Sequence, residues 1–245
     1  MPNTYFQFQQ FRINQEQSGM KVTTDACLFG AWVANQIRQG TEPNQILDIG
    51  TGTGLLSLML AQVTKNSHIE AVEINARAFV EAKDNFNDSN WKDRLISVQS
   101  SIQTYQTSEK YDLIICNPPF FKDSQKGKEK DKNQALHSDG LTKEDLLESV
   151  IQLLAKNGRF YLLYPEREMT EFISLAEAKG LHLEKSIIVR NRENQAIFRK
   201  MASFSFSELE VRSSEIVIRR KDGKYTDEFW ELLNIFYQAY NDPRS

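Results

Sequence analysis

Short apolar runs alternate with segments of helical spacing along most of the chain, which is the pattern of an α/β protein. The predicted strands cover residues 46–49, 68–72, 95–99, 111–116, 159–164 and 183–189. Helices are predicted at residues 55–61, 76–87, 143–155 and 167–178, and a further helix begins near residue 26. This alternation predicts a doubly wound, mostly parallel sheet with helices on both faces.

The two ends of the chain have different patterns. Residues 5–13 alternate aromatic and polar side chains and predict a small hairpin arm. Residues 204–209 and 215–220 are predicted to form the two arms of a C-terminal antiparallel hairpin. An amphipathic helix is predicted over residues 226–237, with Thr226 as its cap. Asn157-Gly158 is predicted to end the helix that starts at residue 143.

A glycine-rich turn follows the first apolar strand of the predicted sheet. It contains Asp48, Gly50, Gly52 and Gly54, and a mostly apolar helix begins at Leu55. Glycines allow positive φ and a close approach of backbone to ligand, and a helix N-terminus offers free N–H groups. The dinucleotide fingerprint GxGxxG does not match, because Leu55 stands at the position of its third glycine and Gly54 comes one residue too early. A carboxylate at Asp48 would repel a pyrophosphate, so the turn suits a cationic or amino-bearing ligand.

A second motif follows the strand at residues 111–116. It consists of Asn117, Pro118, Pro119 and Phe120. The side-chain oxygen of Asn117 can accept a hydrogen bond from an exocyclic amino group. The prolines stiffen the segment and leave backbone carbonyls as acceptors, and Phe120 can stack on a flat ring. Asn-Pro alone is also a common turn starter, and the glycine-rich turn upstream is what makes this motif informative.

Together the two motifs resemble the class I S-adenosylmethionine-dependent methyltransferases that modify amino nitrogens. The resemblance implies one Rossmann-like domain with a seven-stranded, mostly parallel sheet that ends in an antiparallel hairpin. It implies that the glycine loop, with Asp48, contacts the methionine part of S-adenosylmethionine and that Asn117 lies beside the cofactor. Glu73, at the end of the second strand, would bind the ribose hydroxyls, and Ser101, after the third, would contact the adenine. S-adenosylhomocysteine would be the product.

The chain's ends narrow this resemblance. Residues 20–32, residues 223–229 and Phe236-Tyr237 are similar to segments of bacterial valine-tRNA adenine-N6 methyltransferases. That family modifies adenine 37 beside the anticodon, which implies a tRNA anticodon loop as partner. By analogy, Lys21, Thr24 and Asp25 lie over the cofactor, although Thr24 and Asp25 also suit the cap of the helix near residue 26. Residues 1–30 are then an arm and cofactor-covering segment, and residues 31–245 are the methyltransferase domain.

Composition restricts the other classes of function. The net charge is −3 over 245 residues, so a nucleic-acid partner would have to meet a local basic patch. Cys27 and Cys116 lie in apolar runs, which predicts buried thiols, and the three histidines lack metal-ligand spacing. No metal is therefore expected. No membrane span or signal peptide is indicated, so a cytoplasmic protein is expected. A monomer is the default expectation.

Basic residues occur in several segments of the sequence, and their spacing does not place them on a common surface. Residues 122–133 contain five lysines directly after the Asn-Pro-Pro-Phe motif. They predict either a solvated loop or a segment that closes over a substrate and meets phosphates. The other basic groups are Arg190 with Arg192, Arg199 with Lys200, and residues 219–221. Each of these groups can equally be an ordinary solvated face.

The mechanism implied is a direct in-line methyl transfer to an adenine that has been flipped out of its loop. Asn117 and the Pro118 carbonyl would accept the two N6 hydrogens. No strong base is needed before transfer, because the amine becomes acidic only once it has been methylated. Three alternatives remain open. They are a protein glutamine N5-methyltransferase, a DNA adenine methyltransferase, and a non-catalytic RNA- or cofactor-binding module.

Overall fold

The computed structural model describes residues 3–17, 21–118 and 141–238. The strands are β1 (Tyr5–Gln7), β2 (Arg12–Asn14), β3 (Gln45–Ile49), β4 (His68–Glu73), β5 (Leu95–Gln99), β6 (Tyr111–Cys116), β7 (Leu154–Tyr164), β8 (His182–Arg192), β9 (Arg199–Ser205) and β10 (Arg212–Arg219). The helices are α1 (Thr24–Gln39), α2 (Leu55–Val63), α3 (Ala76–Asn87), α4 (Lys143–Leu153), α5 (Glu166–Ala178) and α6 (Asp227–Leu233).

The main sheet confirms the α/β prediction. Its strand order is β10-β8-β9-β7-β6-β3-β4-β5, and β9 runs antiparallel to both of its neighbours while all other pairs are parallel. Apolar side chains cover both sides of the sheet in two separate clusters. Cys27 and Cys116 are buried free thiols in these clusters, as predicted.

The prediction of which strands form the C-terminal hairpin is wrong. Among the described residues the sheet has eight strands rather than seven, and β9 does not pair with β10. Instead, β8 and β9 form the antiparallel hairpin, and β10 adds to the outer edge of β8 in parallel. Alternating side chains identify a strand but not its partner, because pairing is set by contacts far apart in sequence.

Two helix ends also differ from prediction. Helix α4 ends at Leu153, and Gly158 lies inside β7, which begins directly at Leu154. A Cβ at Gly158 would lie 2.8 Å from the carbonyl oxygen of Tyr111, so this glycine allows two strands to approach closely and does not end a helix. Helix α6 ends at Leu233, where the amides of Phe236 and Tyr237 turn back to its carbonyl.

The N-terminal arm is a two-stranded hairpin, as predicted, and it packs against the C-terminal segment. β1 and β2 pair in antiparallel register. The Phe8 ring lies 4.5 Å from that of Phe11 and 6.1 Å from that of Tyr237. The side-chain amide of Gln9 donates to the carbonyls of Asn234 and Tyr237. The two ends of the described chain are therefore held against each other.

Candidate active site

The sheet brings the two predicted motifs to one edge. Strand β3 lies between β4 and β6, and its last residue, Ile49, is in register with Val72 of β4 and Cys116 of β6. Because all three strands are parallel, the glycine-rich loop and Asn117 leave the sheet side by side. This is the topological switch point, where open parallel sheets bind their ligands.

The three glycines of the loop serve two different needs. The φ values of Gly50, Gly52 and Gly54 are 70°, 57° and 82°. A Cβ added at Gly50 or Gly52 would meet nothing within 4 Å, so these two positions border open space. A Cβ at Gly54 would lie 2.5 Å from Cε1 of Phe86 on α3, so Gly54 is required for packing. The first two glycines therefore suit a close ligand, and the third joins the loop to α3.

Asp48 fixes the start of this loop. It is fully buried, and its Oδ2 accepts hydrogen bonds from the Thr51 hydroxyl at 2.6 Å and from the Ser57 hydroxyl at 2.7 Å. Its Oδ1 is buried without a hydrogen-bond partner among the described residues. Burial raises the pKa of this carboxyl to about 6, although the hydrogen bonds oppose the shift.

Glu73 and Ser101 lie at the ends of the neighbouring strands. The carboxylate of Glu73 accepts the amides of Gly52 at 2.9 Å and Asn75 at 2.8 Å, which leaves further lone pairs on both oxygens. The hydroxyl of Ser101 lies 2.7 Å from that of Thr104, and the amide of Ser100 donates to the Glu73 carbonyl. The structure therefore brings Glu73 against the glycine loop and the Ser101 loop beside it.

Asn117 has the least satisfied side chain at this edge. Its Oδ1 is buried and has no hydrogen-bond partner among the described residues. A buried acceptor without a donor costs free energy, so such an atom calls for a ligand or another explanation. Pro118 is also buried. Pro119, Phe120 and the lysine-rich segment 122–133 lie outside the described residues, and their predicted roles stay predictions.

Comparison with known proteins identifies the class of this site. A family model described as "Methyltransferase small domain" matches residues 33–177. Proteins named tRNA1(Val) (adenine(37)-N6)-methyltransferase match almost end to end. The one from Christiangramia forsetii is 36% identical over 97% of this chain and 99% of its own length. The one from Cytophaga hutchinsonii is 40% identical with the same coverage.

The chain belongs to this methyltransferase family. Solved structures agree on the fold. A predicted O-methyltransferase from Agrobacterium tumefaciens superposes with a TM-score of 0.62 at 13% identity, over 85% of this chain and 95% of that one. The human methyltransferase 10 domain containing protein gives 0.55 at 19% identity, over 77% and 86%. The class I methyltransferase fold expected from the two motifs is confirmed.

The start of α1 in this methyltransferase differs from the sequence expectation. The N-cap is Thr23, whose hydroxyl accepts the Ala26 amide at 3.4 Å, and the helix begins at Thr24. Asp25 is buried and forms an ion pair with Arg199 of β9 at 2.9 Å. The ammonium of Lys21 donates to the Asn3 carbonyl at 3.1 Å. The predicted contacts of Lys21, Thr24 and Asp25 with the cofactor stay predictions.

Asn85 is a residue of this site that sequence reasoning missed. It is buried on α3, and its amide donates to the carbonyls of Thr53 at 2.9 Å and Asn14 at 3.0 Å. Its Oδ1 accepts the Asn14 amide at 2.9 Å. One side chain therefore joins the glycine loop to the N-terminal arm. The available signal was its place on the same helical face as Ala78, Ala82 and Phe86, where a polar side chain needs a partner.

Replacing Asn85 by alanine is expected to lower the free energy of unfolding by about 2 kcal/mol, because buried carbonyls lose their donor. Urea unfolding measures this change. Asn87→Ala, at an exposed position at the end of the same helix, is the matched control and is expected to be near wild type. Equal effects of the two substitutions would show that Asn85 does not join the loop and the arm.

The pKa of Asp48 has a consequence for stability. Its carboxyl binds a proton at higher pH in the folded chain than at its ordinary pKa of 3.8, so folding is favoured as the pH falls from about 6 towards 4. Asp48→Asn removes this titration. Relative to that variant, the wild type is expected to gain about 2 kcal/mol of unfolding free energy between pH 7 and pH 4. Urea unfolding at several pH values tests this, and a constant difference would contradict it.

A further cavity of the described structure lies away from this edge. A cavity of about 250 Å³ lies at the opposite, amino end of the strands and is lined by residues that include Gln36, Asn44, Asp112 and Arg159. Within residues 3–17, 21–118 and 141–238, no group of His, Cys, Asp and Glu could hold a metal ion. In the same ranges, no helix has the length and apolar character needed to cross a membrane.

Proposed function

We propose that this methyltransferase transfers a methyl group from S-adenosylmethionine to the exocyclic N6 of adenine 37 in tRNA1(Val), with S-adenosylhomocysteine as product. The observation that carries the proposal is the buried Oδ1 of Asn117, which has no hydrogen-bond partner among the described residues and lies at the strand end beside the glycine loop. The choice of base and tRNA follows the names of relatives that align over nearly the whole chain.

The residues at this edge fit S-adenosylmethionine. Gly50 and Gly52 border open space at positive φ, which suits close contact between the loop and the methionine part. Glu73 ends β4, the strand next to the loop, and its free lone pairs suit a ribose diol. Ser101 lies on the adjoining loop, where the adenine would be held. S-adenosylmethionine supplies an electrophilic methyl group on a positively charged sulfur.

Asn117 and Pro118 would orient the accepting nitrogen. The Oδ1 of Asn117 accepts one N6 hydrogen and the Pro118 carbonyl accepts the other. These two bonds hold the amino group so that its lone pair points out of the plane of the ring and towards the methyl group. Much of the rate then comes from the fixed geometry of two bound reactants. Phe120 would stack on the base.

A general base has no role before transfer in this proposal. The adenine amino group is weakly basic and gives up a proton readily only after it has gained the methyl group. The site accordingly offers neutral acceptors, Asn117 and Pro118. The buried thiol of Cys116 does not serve as a base, because burial raises its pKa well above the ordinary value.

Methyl transfer from labelled S-adenosylmethionine tests the proposal. Unmodified total tRNA is the substrate, followed by nuclease digestion and identification of the labelled nucleoside. Labelled N6-methyladenosine in tRNA1(Val), lost when adenine 37 is changed to guanine, supports it. Label in a protein fraction instead would favour the glutamine methyltransferase alternative.

We also propose that the enzyme acts as a cytoplasmic monomer on the anticodon loop.

A further inference from the structure

The scattered basic groups of the sequence meet at one edge of the sheet. Strand β8 runs parallel to β6, β7 and β10, and β9 runs in the opposite direction. The ends of β8 and β10 and the start of β9 therefore lie at the same edge as Asn117. Arg190, Arg192, Arg199 and Lys200 lie around the β8–β9 turn, and residues 219–224 continue from β10.

The two segments at this edge, residues 190–200 and 219–224, have the opposite charge to the rest of the chain. Residues 190–200 and 219–224 contain eight Lys or Arg residues and two Asp or Glu residues, although the whole chain has a net charge of −3. A polyanion that approaches the chain is therefore attracted to this edge and repelled by the remainder.

Some of these cations are neutralised within the protein, and others face solvent. Arg190 pairs with Glu215, and Lys200 pairs with Glu166. Arg220 pairs with Asp227. In contrast, no ion pair is formed by exposed Arg192, Lys221 or Lys224 with any residue in the described part of the chain. The cations of these segments that form no ion pair with a described residue are therefore the exposed Arg192, Lys221 and Lys224, together with the half-buried Arg219.

The arrangement of these free cations opposes stability. Arg192 is in register with Arg219 across the β8–β10 pair, which places two positive side chains next to each other. Like charges opposite each other in a sheet are destabilising. The guanidinium of Arg219 is held 4.4 Å above the Tyr225 ring and donates to the Gly223 carbonyl at 2.7 Å. A bound anion between the two strands would remove the repulsion.

We propose that this basic rim, formed by Arg192, Arg219, Lys221 and Lys224, binds phosphates of the tRNA backbone on one side of the target adenine. The inference rests on the proposed function and deepens it. The rim lies at the ends of β8 and β10, which are three and four strands from β6, or roughly 14–19 Å at the usual strand spacing. An anticodon stem-loop can span this distance with its adenine at Asn117. The rim positions RNA without reading its sequence.

Removing the three exposed cations of the rim tests this proposal. Arg192→Ala/Lys221→Ala/Lys224→Ala is expected to raise KM for tRNA at least tenfold and to leave kcat at saturating tRNA and the affinity for S-adenosylmethionine unchanged. The slope of log affinity against log salt is expected to become shallower by roughly 2, because three phosphate contacts are lost. Titration of tRNA into each variant measures binding independently of turnover.

Arg38→Ala/Lys65→Ala/Lys156→Ala is the matched control. These cations are also exposed, form no ion pair with a described residue, and lie at the amino ends of the strands, and their removal changes the net charge equally. The control is expected to keep the wild-type KM and salt slope. The rim is overturned if both triple variants bind tRNA alike. Wild-type protein that binds tRNA at the rim without methylating it would instead overturn the proposed function.

Discussion

Asn117→Ala is expected to lower kcat for tRNA methylation roughly 10²–10³-fold while the affinity for S-adenosylmethionine stays near wild type. The magnitude follows from the usual loss when one positioned hydrogen-bonding group is removed from an active site. The buried Oδ1 of Asn117 has no hydrogen-bond partner among the described residues, so alanine removes no bond of this atom within residues 3–17, 21–118 and 141–238. Single-turnover kinetics together with calorimetric titration of the cofactor separate the two quantities.

Asn44→Ala is the matched control for this substitution. Asn44 is exposed directly before β3, at the opposite end of the sheet, and its replacement is expected to leave kcat unchanged. Retained turnover in Asn117→Ala would overturn the assignment. A parallel loss of kcat, cofactor affinity and thermal stability would also contradict it, because that pattern would assign Asn117 a role in folding.

Gly54→Ala is expected to lower the free energy of unfolding by about 3 kcal/mol or more. Two costs add at this position. The left-handed backbone, with φ at 82°, is unfavourable for alanine, and the new Cβ would lie 2.5 Å from the ring of Phe86. The ring is buried and cannot move aside freely. Urea unfolding measures the effect.

Gly180→Ala separates the two costs. Gly180 also has a left-handed backbone, with φ at 75°, but an added Cβ would meet nothing within 4 Å. Its substitution is expected to cost only about 1–2 kcal/mol, the backbone contribution alone. If the two alanine variants were equally stable, the contact between Gly54 and Phe86 would have no role in fixing the loop.

The elements that were predicted correctly from sequence are those with local signals. Helix α3 has the predicted bounds, and β5 and β6 do as well, because periodicity and turn residues lie within the segment itself. The partner of β10 was mispredicted, since no local pattern distinguishes a hairpin with β9 from a parallel pair with β8. The role of Gly158 was mispredicted for a related reason. A small residue is required there because the carbonyl of Tyr111, 47 positions earlier in the chain, lies close to it.

The candidate site shows the same division. The strand ends at Asp48, Glu73 and Asn117 were predictable, because parallel strands place their carboxyl ends at one edge. The contacts that fix the site were not. Asn85 joins the loop to the arm across 32 and 71 positions of sequence, and such distant pairings leave no pattern in a single chain. The basic rim could not be predicted either, because its residues come together only when the direction of each strand in the sheet is known.

The contact between Gln9 and Asn234 affects how the chain folds during synthesis. The N-terminal arm leaves the ribosome 225 positions before the residues that receive it. At roughly 5–20 residues per second, the arm waits about 10–45 s for its partner. During that interval Phe6 and Phe8 lack the ring of Tyr237. Until those residues have been synthesised, the nascent arm therefore presents to chaperones an aromatic surface that Tyr237 contacts in the folded protein.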